Sequence, residues 1–513
     1  MKSVKPVNLI LLCIWLLQML IEGLTLLSVW RLDMLPVKYF VLLAAVFFVL
    51  VLLSGGLLFW PKAGDKVMPV RRWIACGFIV LIAAGCAVTS GVITQLRHTI
   101  HNVTTQKPAG VMMSVYIRAD DPAQTLQDAA EYRFASVQGY EVSKSEQVLD
   151  HISQTLGREL CTNQYKSVFA MIDALLTGEA DAIILNSAYV DLLEDVEQYS
   201  DFALKTRVLC EVPVTEEPDP VPPAEDSNPS GDVTVPTDPP VDRTVTSAPF
   251  VLYISGSDTR SEQLRTSLSD VNILVVVNPI AKQILLLNTP RDYYVPNPAG
   301  DGALDKLTHC GLYGINCSVQ ALSNLYGISV DYYAQINFTG FKTLIDAIGG
   351  VVVHSNASFT ADGFEFQEGE NLLDGEKALA FARERHNVAG GDNGRGKNQM
   401  RLITAVIDKL ASSTALITNY SAIMQSLQGM FVTNMEASDI SQFMKMQLDD
   451  MATWDVRSYA VTGKNSRDET YTMPGLEVSV MYVDQALVDH GSSLIKRMLA
   501  GEVLSGSDLK PTN

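Results

Sequence analysis

Two carboxylates and several guanidinium groups recur in short motifs of the second half of this chain. Asp258 and Arg260 stand in "GSDTR", Asp270 in "SDVNILVVVN" and Arg291 in "NTPRD", while Arg383, Arg385 and Arg395 share "FARERHNVAGGDNGRGKNQ". Planar guanidiniums gathered without matching acids suit a phosphate or pyrophosphate, whose oxygens they hold through paired hydrogen bonds. Two aspartates beside a diphosphate then suit Mg2+, a hard cation that bridges phosphate oxygens and one or two acids. Any single arginine has a plainer reading, as part of a solvated, salt-bridged face. The combination is what points to diphosphate chemistry.

For that chemistry the groups must meet, and the elements between them say how. "FVLYISG" reads as a strand ending at Asp258, "NILVVVN" as a strand beginning after Asp270, and "QILLLNTPRD" as a third whose end brings Arg291. The turn-length "PIAK" makes the last two an antiparallel hairpin, so Asp270 and Arg291 are expected at one end of the sheet. An antiparallel first strand would add Asp258 and Arg260 to the same rim. "SVQALSNLYG" and "FTGFKTLIDAIGG" read as scaffold helices, the second stopped by Gly349 and Gly350. "NLLDGEKALA" suits a short helix, after which Arg383 and Arg385 point the same way only in an extended chain. Beyond a Gly-rich loop, Leu402, Ile403, Val406, Ile407 and Leu410 recur at helical spacing, and Arg395 and Gln399 share a face of the first turn. A helix N-terminus already favours an anion.

The rest of the chain sets the compartment. At 513 residues and net charge -19 it is too long for one ordinary domain and too acidic for a general nucleic-acid binder. Apolar runs at about 8–30, 39–60 and 73–95 are each long enough to span a bilayer. Lys2 and Lys5 precede the first, Lys62, Lys66, Arg71 and Arg72 lie between the second and third, and only Arg31 and Lys38 follow the first. The bias predicts a multi-pass cell-membrane protein with a cytoplasmic N-terminus and everything after 96 outside. The first run lacks the small-residue cleavage site of a signal peptide. Glu22 within it is either functional or an acid facing a neighbouring helix.

Outside the membrane the cysteines form an even set, for which 161 with 210 and 310 with 317 are the most local pairings, free thiols being the alternative. Residues 214–247 are rich in proline and acid and predict an extended spacer. The preceding 112–213 alternates strand and helix patterns, as in "SVFAMIDALLTGEADAIILNSAYVDLL", an α/β reading. It resembles one lobe of an extracellular solute-binding protein, in which a ligand lies between two lobes. Only one lobe fits this length, so a packing or docking module is the competing expectation.

"GSDTR", "SDVNILVVVNP", "TPRDYYV", "DKLTHCGLYG", "DYYAQINFTGFKTLIDAIGGVVV", "LLDGEKALAFARER" and "DNGRGKNQ" follow in the order and spacing of the LytR-CpsA-Psr family, which this chain resembles from about 250 to 412. The resemblance implies an α/β catalytic domain over 248–413, with a central mixed sheet flanked by helices and an apolar tunnel for a polyprenyl chain. That domain would follow a membrane domain (1–100), the accessory domain (112–213) and the linker (214–247), with 414–513 as an extension packed on it. It implies an Mg2+-dependent phosphotransferase moving a teichoic acid-like or capsular glycopolymer from undecaprenyl pyrophosphate to peptidoglycan, commonly onto the 6-hydroxyl of N-acetylmuramic acid. On that model Asp258 and Asp270 position Mg2+ or the attacking hydroxyl, with Asp258 the candidate base. Arg291, Arg383, Arg385 and Arg395 hold the diphosphate, with Arg260, Lys306 and Gln399 beside them and Asp392 in support. Family members usually carry arginine where this chain has Leu268 and Asn398, and Lys397 and Arg265 stand near enough in sequence to compensate. A hydrolase of the same diphosphate and a non-catalytic envelope-binding or regulatory protein remain the alternatives.

Overall fold

The computed structural model describes residues 6–60, 68–105, 111–138, 142–194, 196–214, 244–258, 264, 266–384, 392–412, 423 and 429–510. Three long helices come first: α1 (Pro6–Leu32), α2 (Val37–Phe59) and α3 (Met68–Thr105). Each contains a stretch long and apolar enough to cross a membrane, Leu9–Leu32, Val37–Phe59 and Val70–Gln95. Glu22 is buried among the helices and accepts a hydrogen bond from Gln18 Nε2 at 2.8 Å.

An α/β module follows, made of β1 (Val111–Arg118), β2 (Arg133–Val137), α4 (Val142–Leu156), β3 (Cys161–Tyr165), α5 (Val168–Thr177), β4 (Ala182–Asn186), α6 (Tyr189–Glu194), α7 (Phe202–Lys205) and β5 (Thr206–Val214). Its five strands lie in the order β3-β2-β4-β1-β5. Helix α5 begins because the Ser167 hydroxyl caps the Ala170 N–H, and it ends where Gly178 turns left-handed at φ 81°. The strand order corrects the expected pairing of Cys161 with Cys210. These cysteines sit on opposite edge strands, four strand spacings of about 4.8 Å apart, far beyond disulfide reach. Cys310 and Cys317 do meet, as buried thiols in contact. Most of the expected spacer, residues 215–243, lies outside the described residues.

The largest unit is built on a six-stranded mixed sheet. It contains β6 (Phe250–Ser257), β7 (Val271–Asn278), β8 (Gln283–Asn288), β9 (Tyr294–Pro296), β10 (Leu304–Lys306), α8 (Ile315–Tyr326), β11 (Tyr332–Asn337), α9 (Phe338–Ala347), β12 (Val351–Ser355), β13 (Phe359–Ala361), β14 (Phe364–Phe366), β15 (Gly369–Leu373), α10 (Gly375–Arg383) and α11 (Asp392–Ser412). After these come β16 (Phe431–Thr433), α12 (Ala437–Asp450), β17 (Asp455–Ala460), β18 (Gly463–Glu469), β19 (Glu477–Val483) and α13 (Gln485–Leu499). The sheet order is β16-β11-β6-β7-β8-β17. Residues after 413 therefore do more than pack on the domain. They supply both edge strands, β16 against β11 and β17 against β8.

The central strand β7 shows why "NILVVVN" is an unbroken apolar run. Ile273, Val275 and Val277 face a core shared with Met400 and Ile403 of α11, while Leu274 and Val276 face another shared with Leu322 of α8 and Leu494 of α13. A strand covered on both faces has no polar side to alternate with. A third apolar cluster, holding Ile345, Phe366, Phe381 and Leu402, joins α9, α10 and α11 to the small hairpins.

Candidate active site

Three strand ends build one rim. β6 and β7 are antiparallel with Gly256 opposite Val271, and β7 and β8 are antiparallel with Ile273 opposite Asn288. Asp258, Asp270 and Arg291 therefore leave the sheet at the same end. There Arg291 Nη1 donates to Asp270 Oδ1 at 2.6 Å, and the backbone N–H of Asp258 donates to Asp270 Oδ2 at 3.2 Å. Arg383, the last residue of α10, donates from Nη2 to Asp258 Oδ2 at 3.2 Å. Its guanidinium also lies over the Phe338 ring, 5.1 Å from the centroid, and 4.0 Å from Asp362 Oδ2. Asp362 reaches it from the tight β13 to β14 turn, in which Asp362 and Gly363 both adopt positive φ.

Buried hydrogen bonds fix the inner half of this rim. Ser269, one residue before Asp270, bonds through its hydroxyl to Tyr253 at 2.8 Å and to Ser255 at 2.8 Å, and the Asn272 amide donates to its carbonyl at 2.9 Å. The Ser269 N–H donates to Thr308 O at 3.1 Å, and the Thr308 N–H donates to Arg291 O at 2.8 Å. One short ladder thus joins the residue before Asp270 to Arg291. Gly311 packs so close that a Cβ there would stand 2.5 Å from Ser267 O and 2.7 Å from Ser269 N. Behind the ladder, His309 Nδ1 and Asp305 Oδ1 are 2.5 Å apart, and Asn297 Nδ2 and Thr472 Oγ1 both donate to Asp305 Oδ2. Burial alone would raise the Asp305 carboxyl, but the charge and hydrogen bonds from His309, Thr472 and Asn297 hold it below its ordinary value.

The first turn of α11 arrives at the same rim. A Cβ on Gly396 would meet the Asn288 side chain at 2.4 Å, so this turn sits against the end of β8. Gln399 Nε2 donates to Ala382 O at 3.4 Å, next to Arg383, and Arg395 lies half-buried one turn earlier. Lys306 is near but differently engaged, its Nζ 3.3 Å from Asp292 Oδ1. Asp392 is the first residue of α11. Arg260, Arg265 and Arg385 lie outside the described residues. Leu268 is buried in the main core, and Asn398 is buried between the Phe381 carbonyl and Arg401, whose Nη1 donates to its Oδ1 at 2.8 Å. Lys397 is exposed where Asn398 is buried, so the two side chains do not share a place. Phe338 and Ser269 are uncharged and Asp362 lies outside the motifs, so none is among the charged motif residues that carry the sequence signal. Only the Asp-Gly of the hairpin turn carried a local signal.

Chemically, the rim holds two acids, each paired with an arginine, beside the N-terminal end of α11. Among the described residues no three His, Cys, Asp or Glu side chains cluster as a metal cage. Asp258 and Asp270, joined through one backbone N–H, fit Mg2+ as the two-carboxylate half of a site completed by phosphate oxygens and water.

A family model for LytR_cpsA_psr matches residues 225–486, just over half of the 513-residue chain. Among curated proteins, the chain is 33% identical over 196 residues to a polyisoprenyl-teichoic acid–peptidoglycan teichoic acid transferase TagU of Enterococcus faecalis, covering 38% of this chain and 64% of that one. It is 33% identical over 237 residues to the TagU of Halalkalibacterium halodurans, covering 46% of this chain and 73% of that one. Solved structures that resemble it include Bacillus subtilis TagV (24% identity, TM-score 0.41, 49% of this chain and 98% of that one). Another is TagT bound to LI-WTA (26% identity, TM-score 0.40, 51% and 94%). The rim described above falls inside the matched span, and the chain belongs to the LytR-CpsA-Psr family.

Proposed function

We propose that this chain is a membrane-held transferase that moves a glycopolymer, teichoic acid-like or capsular, from an undecaprenyl pyrophosphate carrier to peptidoglycan as a phosphodiester. The observation that carries the reading is the junction of Asp258 and Asp270 through one hydrogen bond, each acid on its own arginine, beside the first turn of α11. The relatives named as teichoic acid transferases support the substrate class.

In this reading the acceptor hydroxyl, the 6-hydroxyl of N-acetylmuramic acid, attacks the phosphorus that carries the glycan. A new P–O bond forms to that hydroxyl, and the P–O bond of the pyrophosphate bridge breaks. Polyprenyl phosphate departs with the electron pair. Asp258, on the exposed side of the rim, takes the hydroxyl proton. Arg291, Arg383 and Arg395 hold and neutralise the diphosphate oxygens as charge shifts toward the leaving group. Mg2+ held by Asp258, Asp270 and the diphosphate would add Lewis-acid neutralisation of the same charge.

Sidedness follows from two supports. The basic residues cluster before α1 and around the start of α3. The contact of the turn between α1 and α2 with α12, Asp33 2.7 Å from Lys445 and Lys38 3.2 Å from Asp449, supports a reading in which that turn and the catalytic unit share a side. The reading therefore has a cytoplasmic N-terminus and an extracellular site.

Full-length protein in detergent, given lipid-diphosphate glycan and peptidoglycan fragments, tests the proposal. Polymer joined to the sugar supports it. Free phosphorylated glycan with no joined product means a hydrolase, and binding without turnover means a non-catalytic protein.

A further inference from the structure

A fourth strand ends on the rim. β11 pairs with β6 in parallel, with Asn337 opposite Ser257, so the next residues, Phe338 and Asp258, leave the sheet side by side. The backbone of Phe338 is held firmly. Asn337 before it is buried, caps α9 by accepting the Gly340 N–H at 2.8 Å, and donates its own N–H to Met430 O at 3.4 Å. Arg383 reaches the same place from α10, which runs back along α9. The Gly375 N–H at the start of α10 donates to Asp346 Oδ1 at 2.8 Å near the end of α9, and Lys342 pairs with Glu376. Phe338–Asp346 and Gly375–Arg383 are equally long stretches of helix, so the last residue of α10 returns to the first of α9.

Three groups hold the Arg383 guanidinium there, and they differ in kind. Asp258 at 3.2 Å and Asp362 at 4.0 Å face its in-plane N–H donors. Both carboxylates are well exposed, with side chains 47% and 61% accessible, so either contact opens readily. The half-buried Phe338 ring, 5.1 Å from the guanidinium carbon, attracts the cation through its face and uses none of those donors. A diphosphate needs the same in-plane N–H groups and competes with the two carboxylates. It does not compete with the ring.

We propose that Phe338 is the positioning residue of Arg383: its ring face holds the guanidinium in place while the in-plane donors pass from Asp258 and Asp362 to a diphosphate. Phe338 touches no reacting atom and acts through Arg383 alone. The proposal deepens the transferase reading and rests on it for the identity of the anion.

Full-length protein in detergent is tested for inorganic pyrophosphate binding by calorimetry and for polymer transfer, with melting temperatures measured for every variant. Phe338→Leu, apolar but without a π face, should weaken pyrophosphate about tenfold. Phe338→Tyr, which keeps the face, should bind within about twofold of wild type. In an Arg383→Ala background Phe338→Leu should have no further effect on binding, because the ring works through the guanidinium. A purely structural role for the ring predicts the same loss in both backgrounds, and that result overturns the proposal. So does binding indifferent to Phe338→Leu, or loss of binding in Phe338→Tyr equal to that in Phe338→Leu, or no pyrophosphate binding by the wild type. Pyrophosphate binding that follows the ring without any polymer transfer sinks the transferase reading and leaves this proposal standing, whereas transfer unchanged in Phe338→Leu does the reverse.

Discussion

The two acid and arginine pairs of the rim are alike in chemistry and unlike in setting. Asp270 and Arg291 have side chains only 10% and 18% exposed and meet at 2.6 Å, whereas Asp258 and Arg383 are 47% and 33% exposed and meet at 3.2 Å. The inner pair is braced by the Ser269 ladder and by Gly311. The outer pair hangs between a strand end and a helix end, over an aromatic ring. A largely buried ion pair with a braced backbone holds one geometry. An exposed pair costs little to open, so its members can exchange each other for a ligand. The inner pair is the fixed reference of the site and the outer pair the part that meets substrate.

The largest expected effect follows from that division. Asp258→Ala should lower transfer about a thousandfold, or ~4 kcal/mol of barrier, in the range for a lost general base. It should leave the melting temperature near wild type because the group is exposed. Transfer assays and thermal melts together check this, and a large loss of stability would erase the distinction between the pairs.

Next in size is Asp305→Asn, which attacks the anchor of the inner half. Removing one partner of a fully buried pair leaves His309 without its carboxylate and should cost about 3 kcal/mol. The folded-state pKa of Asp305 is depressed, so its stabilisation is complete above the ordinary aspartate range near pH 4 and drains as pH falls through the folded value. Wild type should therefore lose stability steeply below about pH 4, and the variant should show a shallower acid limb. Parallel slopes in acid denaturation would remove Asp305 as the anchor.

How much of this was legible in sequence depends on whether the signal was local. The hairpin turn and the motif ends placed Asp270, Arg291 and Asp258 on one rim because strand direction follows from short connections. The Gly349–Gly350 stop marked the end of α9 closely, whereas the short helix read over "NLLDGEKALA" was placed too early, since Asn371–Leu373 belong to β15 and α10 runs from Gly375 to Arg383. The edge strands β16 and β17 were missed because an edge is assigned by its partner across the chain, β11 or β8, and not by its own three to six residues. The pairing of Cys161 with Cys210 failed for the same reason, since closeness in sequence says nothing about the strands interleaved between them. The Ser269 ladder and the pairing of Asp305 with His309 are likewise contacts of polar groups whose types are common everywhere.

The sharpest test of the contrast is a pair of double-mutant cycles, one for each ion pair, read as denaturation free energies in detergent. The coupling of Asp270 with Arg291 should be about 2 kcal/mol and nearly insensitive to added salt, because the pair is shielded from counterions. That of Asp258 with Arg383 should be under about 1 kcal/mol and should fade toward zero by 0.5 M salt, as exposed pairs do. The small value is the informative one. An outer pair worth as much as the inner would resist opening, and Asp258 could not then be released to a hydroxyl without a cost that the diphosphate would have to offset by binding Arg383. Equal couplings would therefore move the substrate-facing role away from Asp258 and toward the turn of α11 that carries Arg395.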